Sequence, residues 1–435
     1  MTRNRRLLWL LLFLAALIFV AFLPPVRAHW EWRFENLRTR IKYALHPPDE
    51  AIFLPTIQPT QADTPPSPTP SPSSTPFLAG EPTLPPTATP TPLPDSVSLE
   101  GVVYEDQFNR WNYCGPSNLA MALEFWGWEG NRDDVAKSIK PGVDDPALSF
   151  IDRGKTDKNV MPYEMANFVN EETSFHALIR YGGEISLVKR LLAAGFPVLA
   201  EKGYYERDYT GKISWMGHYQ FITGYDDAEG VFIVQDTYHD GPDFRVPYDE
   251  FWEGWRAFDY LFLLVYPPER EENLLSVLGD WGDPMWAAQH ALDIAERDIQ
   301  TQTGNDSFFA WFNKGTSLVK LQRYADAAAA YDQAFLVYAQ LEEEDTQRPY
   351  RMMWYQTGPY WAYYYSGRYQ DVINLANITL NETISKPTLE ESLYWRAMAE
   401  YALGQRAAAL EDMREAVHLN PHFFAGLTKL QEWGD

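Results

Sequence analysis

One cysteine, Cys114, stands in a chain of 435 residues. A lone thiol excludes a disulfide within the chain, so no cross-link holds the fold. It excludes zinc sites built on several thiolates. Because no cysteine follows the apolar N-terminal run, it also excludes a lipid-modified cysteine anchor there. Basic residues are the second shortage: 36 Lys and Arg stand against 60 Asp and Glu, a formal charge of −24. Residues 1–100 are balanced, whereas 101–270 hold 28 acidic against 16 basic residues and 271–435 hold 24 against 12. That argues against nucleic acid as a partner, since phosphate binding needs a basic face. The plainer consequence of the acidity is solubility. Histidine is scarce too, at eight. Those at 176, 218 and 239 show no ligand spacing, so neither a metal nor a cofactor is expected.

Long apolar runs are limited to one. "RNRR" precedes Leu7–Leu23, 17 uncharged residues stopped by Pro24-Pro25. That length is short for a membrane span and slightly long for a signal-peptide core. Residues 1–28 are read as an uncleaved single-pass anchor. The alternative is a signal peptide removed after "VRA" at 26–28, which would make the protein secreted. Arg3, Arg5 and Arg6 lie before the run and Arg27, Arg33, Arg38, Arg40 and Lys42 after it, so positive-inside counting leaves the orientation ambiguous. Within 29–54, Trp30, Phe34, Leu37 and Ile41 recur at helical spacing, as in an amphipathic helix lying on a bilayer surface. Residues 55–96 follow as a Pro/Thr/Ser-rich linker; from Pro55 to Pro94, 14 of 40 residues are proline. Such a tract cannot bury a core and stays extended as a semi-rigid spacer. A stalk between a membrane anchor and globular domains suits an extracytoplasmic face.

What is plentiful is the material for cores: 46% of the chain is hydrophobic and 15% aromatic. The first globular unit runs from 97 to 268. A helix is expected from Cys114 to about Trp126, then short helices over "RDDVAKSI" and "MPYEMANFVNE", the latter with Pro162 in its first turn. "TSFHALIRY" reads as a strand, "EISLVKRLLAAG" as a helix ended by Gly195, and "FPVLAEKGY" as a strand. "GHYQFITGYD" and "VFIVQDTYH", joined by the turn "DAEG", read as an antiparallel pair. "YDEFWEGW" is a short helix and "DYLFLLVYP" a buried closing strand. Helices first and strands later make this an α+β fold rather than a doubly wound sheet.

The stretch "QFNRWNYCGPSNLAMALEFWG" sets the thiol at the start of an apolar helix. A free thiol with a pKa near 8.5 is only about 3% thiolate at pH 7. A helix N-terminus and an imidazole raise that fraction by stabilising negative charge. Cys114 has the first of these, with Gly115 allowing close approach and Pro116 suiting the first turn. The competing reading is a small buried hydrophobe. Downstream, "MGHYQFITGYD" puts His218 after a glycine at the head of an apolar strand, and Asp236 ends the next strand. Antiparallel pairing of 218–225 with 231–238 makes His218 and Asp236 neighbours, so that a carboxylate orients the imidazole. Gln107 can aim its amide at a developing oxyanion, together with the Cys114 N–H.

Gln, then Cys-Gly-Pro on a helix, then Gly-His-Tyr opening a strand, then Asp on the next strand, resembles the bacteriocin-processing (double-glycine leader) cysteine peptidases, which are papain-like. The likeness covers about 100–266. It implies a Cys114, His218, Asp236 triad with Gln107 as oxyanion donor, and hydrolysis of a peptide or protein substrate. Phytochelatin synthases share a similar "YCGP", so the motif marks a superfamily more than a substrate. Two departures stand: Asp236-Thr237 replaces the frequent Asp-Pro, and no transporter spans follow. The alternatives are a catalytically inactive peptide-binding protein, or an acyl-transfer enzyme.

Residues 283–435 are helical in pattern. "AWFNKGTSLVKLQRYADAAAAYDQAF" places Trp311, Gly315, Ala327, Tyr331 and Ala334 as in a tetratricopeptide repeat. "LYWRAMAEYALGQRAAALEDMREAVHLNP" repeats the pattern with Leu393, Ala397, Ala409, Ala416 and Pro421. "GPYWAYYYSGRYQDVINLANITLN" fits more loosely between them. About three tetratricopeptide-like units are expected, with "PMWAAQHALDIAERDIQ" as an extra front helix. The resemblance implies an all-α solenoid that docks a protein partner or substrate.

Overall fold

The structure is a computed structural model that describes residues 24–56, 92–108, 110, 112–140, 158–207, 211–238, 241–341, 348–383 and 389–434. The apolar run Leu7–Leu23, most of the Pro/Thr tract and His239 lie outside the described residues. Among the described residues no helix is long and apolar enough to cross a membrane.

The strands are β1 (Ser96–Ser98), β2 (His176–Arg180), β3 (Val198–Arg207), β4 (Ile213–Asp226), β5 (Val231–Asp236), β6 (Gly241–Pro247) and β7 (Phe262–Tyr266). They form one antiparallel sheet in the order β2-β7-β3-β4-β5-β6, with β1 added to the end of β4. Strand periodicity of two divides the apolar side chains between its faces. Leu199, Phe221 and Leu263 pack under α2 (Cys114–Phe125), α3 (Arg132–Ile139) and α4 (Pro162–Glu172). Their sequence neighbours Ala200, Ile222, Phe262 and Leu264 meet α5 (Ile185–Ala193), α6 (Tyr248–Arg256) and α7 (Glu271–Leu278) on the other side. The β4–β5 hairpin turns at Asp227–Gly230, with Gly230 at φ 68°. Strand β6 was not expected, because prolines at 242 and 247 flank it; as the sheet's edge strand it tolerates them.

The C-terminal region is helical. Helices α8 (Pro284–Thr301), α9 (Gly304–Lys320) and α10 (Tyr324–Gln340) are followed by the single turn α11 (Met352–Tyr355). Two further pairs are α12 (Gly358–Tyr365) with α13 (Tyr369–Ile378), and α14 (Glu390–Ala402) with α15 (Arg406–Leu419); α16 (Phe424–Trp433) closes the chain. Gly315 on α9 is where Tyr331 of α10 packs: a Cβ there would stand 2.6 Å from the ring. This region is not a separate body. Trp215, Phe258 and Leu261 from the sheet unit share one apolar core with Phe308, Phe312, Tyr331 and Tyr363. Lys158, almost fully buried, is paired with both Glu164 of α4 and Glu390 of α14.

Helix α1 spans Pro24–Leu45 and so begins with the two prolines that end the apolar run. Its residues Phe34, Leu37, Ile41 and Leu45 form an exposed apolar stripe, while Thr39 and Tyr43 are buried. The chain then docks on the helices. Phe53 is buried edge-on to Phe335, with ring centroids 4.9 Å apart. The Thr56 N–H and hydroxyl both donate to Asp371 Oδ1, at 3.0 and 2.8 Å. At the far end of the tract, the Tyr225 hydroxyl donates to the Pro94 carbonyl at 2.7 Å. Described residues on both sides of the Pro/Thr tract are thus packed on the body of the protein.

Candidate active site

Cys114 is the first residue of α2, where backbone N–H groups lack intrahelical partners and the helix dipole favours an anion. The turn before it holds Asn112 at φ 44°, a left-handed conformation that asparagine tolerates better than most residues. Asn118, fully buried one turn along, donates to the carbonyls of Cys114 (2.8 Å) and Tyr219 (3.0 Å). That single side chain ties the helix of Cys114 to β4, the strand that carries His218. Gly217 is required beside it: a Cβ there would stand 2.6 Å from Phe258 and 2.8 Å from Tyr355.

The hairpin register pairs Phe221 with Gln235, so Gln220 and Asp236 lie one step further along. His218 Nε2 lies 3.3 Å from Asp236 Oδ2, which also accepts from Gln220 Nε2 at 2.7 Å. Asp236 Oδ1 accepts from the Tyr238 N–H at 2.9 Å, and its carbonyl from the Tyr104 hydroxyl at 2.8 Å. Gln107 is on the same side: its N–H donates to the Thr237 carbonyl (2.9 Å) and its Oε1 accepts from the Thr237 hydroxyl (3.0 Å). The four candidate residues thus converge from three separate stretches of chain. His176, by contrast, sits on β2 facing Glu271 at 3.8 Å, away from the thiol.

The electrostatics favour an ion pair. Burial pushes the Cys114 thiol up, but the His218 imidazolium, the Tyr219 backbone and Lys140 outweigh it and leave the thiol below its ordinary value. Burial opposes the charged form of His218, yet Asp236 and Cys114 hold the imidazole up at about 9. Burial likewise raises the Asp236 carboxyl, and His218, Gln220 and the Tyr238 N–H bring it far below the usual carboxylate range. Cys114, His218 and Asp236 are each less than a tenth exposed, which lowers the effective dielectric and strengthens their mutual interactions.

Four contributors gave no signal in the sequence. Lys140 is buried, donates to the Asn112 carbonyl at 3.0 Å and covers the Tyr113 ring at 4.9 Å. Gln220 holds Asp236, and Tyr355 comes from the helical region to close on Gly217. Glu201, on β3 opposite Tyr219, is fully buried beside the thiol. The Tyr219 hydroxyl donates to the Val160 carbonyl at 3.0 Å, so Glu201 can bond to that hydroxyl only as a donor, in its acid form. Burial agrees, pushing its carboxyl well above the usual range. Only the alternation of β3 could have hinted at it. Among the described residues no cluster of ligands fit for a metal occurs.

The family described as "Peptidase_C39 like family" matches residues 99–261. This gives that stretch a C39-like peptidase fold, a sheet with helices packed on it, and leaves the C-terminal helical region outside the match. One solved structure, described as a C39-like peptidase from Bacillus anthracis, is similar at 17% identity with a TM-score of 0.31, covering 39% of this chain and 96% of that one. No curated protein matches the chain.

Proposed function

We propose that this chain is a cysteine peptidase in which Cys114 is the nucleophile. The observation that carries the reading is the placement of one thiol at a helix N-terminus, His218 and Asp236 together, with a raised imidazole and a lowered thiol. In the resting pair the Cys114 thiol has given its proton to His218. The thiolate attacks the scissile carbonyl, and the developing oxyanion is met by the Gln107 amide and the Cys114 N–H. His218 passes its proton to the leaving amine, and the acyl-thioester forms. Water then attacks that thioester, with His218 taking the water's proton and keeping it as Cys114 leaves as the thiolate, which restores the resting pair. Asp236 keeps the imidazole oriented and its positive charge compensated. The family match over residues 99–261 supports the same chemistry.

Two further parts belong to this reading. The helix pairs after residue 304, with Gly315 against Tyr331 as the repeat pattern requires, support tetratricopeptide-like units that dock a protein partner or substrate. The exposed stripe Phe34, Leu37, Ile41, Leu45 supports a membrane-facing α1 next to an anchor in Leu7–Leu23, with the catalytic body on the extracytoplasmic side.

The sole thiol makes the test clean. Alkylation of the full chain, followed by mass against pH, is expected to persist well below pH 8 and to weaken in His218→Ala. Peptide hydrolysis is expected to vanish in Cys114→Ala and His218→Ala. A thiol that is inert while folded, or that titrates as a free one whatever stands at 218, overturns the assignment.

A further inference from the structure

Between the sheet unit and the helical region lies a cavity of about 1000 Å³. One wall is formed by Tyr163 and Glu164 of α4 and by Glu201 of β3. The facing wall comes from the first helix of each helical pair: Lys320 on α9, Trp361 and Tyr365 on α12, Glu391 and Trp395 on α14. Glu201, Phe258 and Tyr355 also belong to its lining. Those groups border the reaction centre. Glu201 and Tyr355 both feel the charge of Cys114, and the rings of Phe258 and Tyr355 press on Gly217, next to His218.

We propose that this cavity is the substrate cleft and that it takes a polypeptide segment bearing a lysine or arginine side chain, seated between the aromatic rings of α12 and α14 and the carboxyl groups of α4, β3 and α14. The proposal rests on the peptidase reading and deepens it, because the helical region becomes half of the active site rather than a remote docking arm. Size comes first. Pockets for small ligands run to about 1000 Å³ at most, so a cavity at that limit accommodates several residues of extended chain. Its rings are the second argument. Trp361 and Tyr365 are 39% and 53% exposed, and Trp361 lies 4.8 Å from Trp395 between ring centroids. Tyr365 is itself stacked on Tyr324, 4.7 Å between ring centroids, and such an aromatic cluster attracts a cation through the ring quadrupoles.

Charge is the third. Besides Glu164, which is paired with Lys158, and the acid Glu201, the lining contains Glu171, Glu172 and Glu391 against Lys320 alone among lysines and arginines. That ammonium already lies over the Tyr181 ring, 4.8 Å from its centre. Glu391 is pinned in place, accepting from the Thr357 hydroxyl and from the Tyr163 hydroxyl, the latter at 2.7 Å. Burial pushes the carboxyl of Glu391 up. An entering guanidinium or ammonium favours its charged form, whereas an apolar side chain would not and an acidic one would meet like charge.

Binding to full-length Cys114→Ala separates this inference from turnover. The probes are three blocked five-residue alanine peptides whose central residue is arginine, citrulline or glutamate, titrated by calorimetry. The arginine peptide is expected to bind at least ten-fold more tightly than the other two, with the margin falling to about two-fold in Glu391→Gln and in Trp361→Ala. Equal binding of arginine and citrulline, preference for glutamate, no binding of any probe, or a margin untouched by either substitution overturns the proposal. The peptidase reading stands or falls separately, on the reactivity of Cys114 in the unsubstituted chain.

Discussion

The Gln107 amide is held at two points by Thr237, through the Gln107 N–H and through its Oε1. With Oε1 fixed as the acceptor, Nε2 is the end left to donate to an oxyanion. The departure from the frequent Asp-Pro is therefore informative, since proline in that place would supply no hydroxyl. Thr237→Val is expected to lower kcat about ten-fold with KM little changed, a fraction of the ~100–1000-fold cost of losing an oxyanion donor outright. Thr237→Ser should restore most of it, and a change confined to KM would refute the positioning role. Asp236 makes a second case. Its anion helps to hold the His218 proton up to about 9, so the alkaline limb of kcat/KM is expected near that pH. Asp236→Asn removes the stabilising charge, so His218 releases its proton at lower pH. The limb should move down, and kcat should fall by about 10²–10⁴-fold. An unmoved limb would show that Asp236 does not govern the imidazole. The same sign applies to folding: the stabilisation from charged His218 is fully present below its unfolded pKa of about 6.5 and is lost as pH rises through about 9.

Single positions also decide whether whole helices meet. α3 begins at a capping box, in which the Asn131 side chain accepts from the N–H groups of Asp133 and Asp134 and Asp134 returns the bond to the Asn131 N–H. α2 has no such side-chain cap, so the N-terminal groups beside Cys114 stay available for an anion. On α9 the governing position is Gly315. With Tyr331 only 2.6 Å from where a Cβ would be, Gly315→Ala is expected to push α9 and α10 apart and destabilise the protein by about 1–3 kcal/mol. Thermal melting measures this; an unchanged or raised midpoint would mean the helix pair has slack there.

The protein as a whole is joined across its two parts by buried polar contacts as well as by the shared core. Lys158 is the most consequential, lying between Glu164 and Glu390 with almost no exposure and holding its proton strongly. Lys158→Ala leaves two acids buried without their cation, and the expected cost is about 3–5 kcal/mol. Because Glu164 also lines the cleft, peptide affinity should change with stability. A melt that separates into two transitions would mean the parts fold independently; a single lowered transition is expected.

The chain alone determined a good deal. The alternation of β4 and β5 and the turn between them set the hairpin, but a β-bulge between Ile222 and Gly224 shifts its register by one residue, and that shift brings Asp236 level with Gln220 on the face of His218. The helix after Cys114 was equally legible, since its apolar spacing and Gly-Pro start are local signals. Those local rules also found the helices of the C-terminal region. What only the tertiary structure decided was everything that reaches the site from elsewhere. Lys140, Glu201, Gln220 and Tyr355 have ordinary local surroundings, and their proximity to Cys114 follows from packing between distant segments. Likewise, composition marks the Pro/Thr tract as coreless but is silent on what its ends touch. The docking of Phe53 and Thr56 on the helices depends on pockets formed by residues some 300 positions away. Local periodicity reports which face of an element is apolar; which other element covers that face is set by the burial of the whole chain.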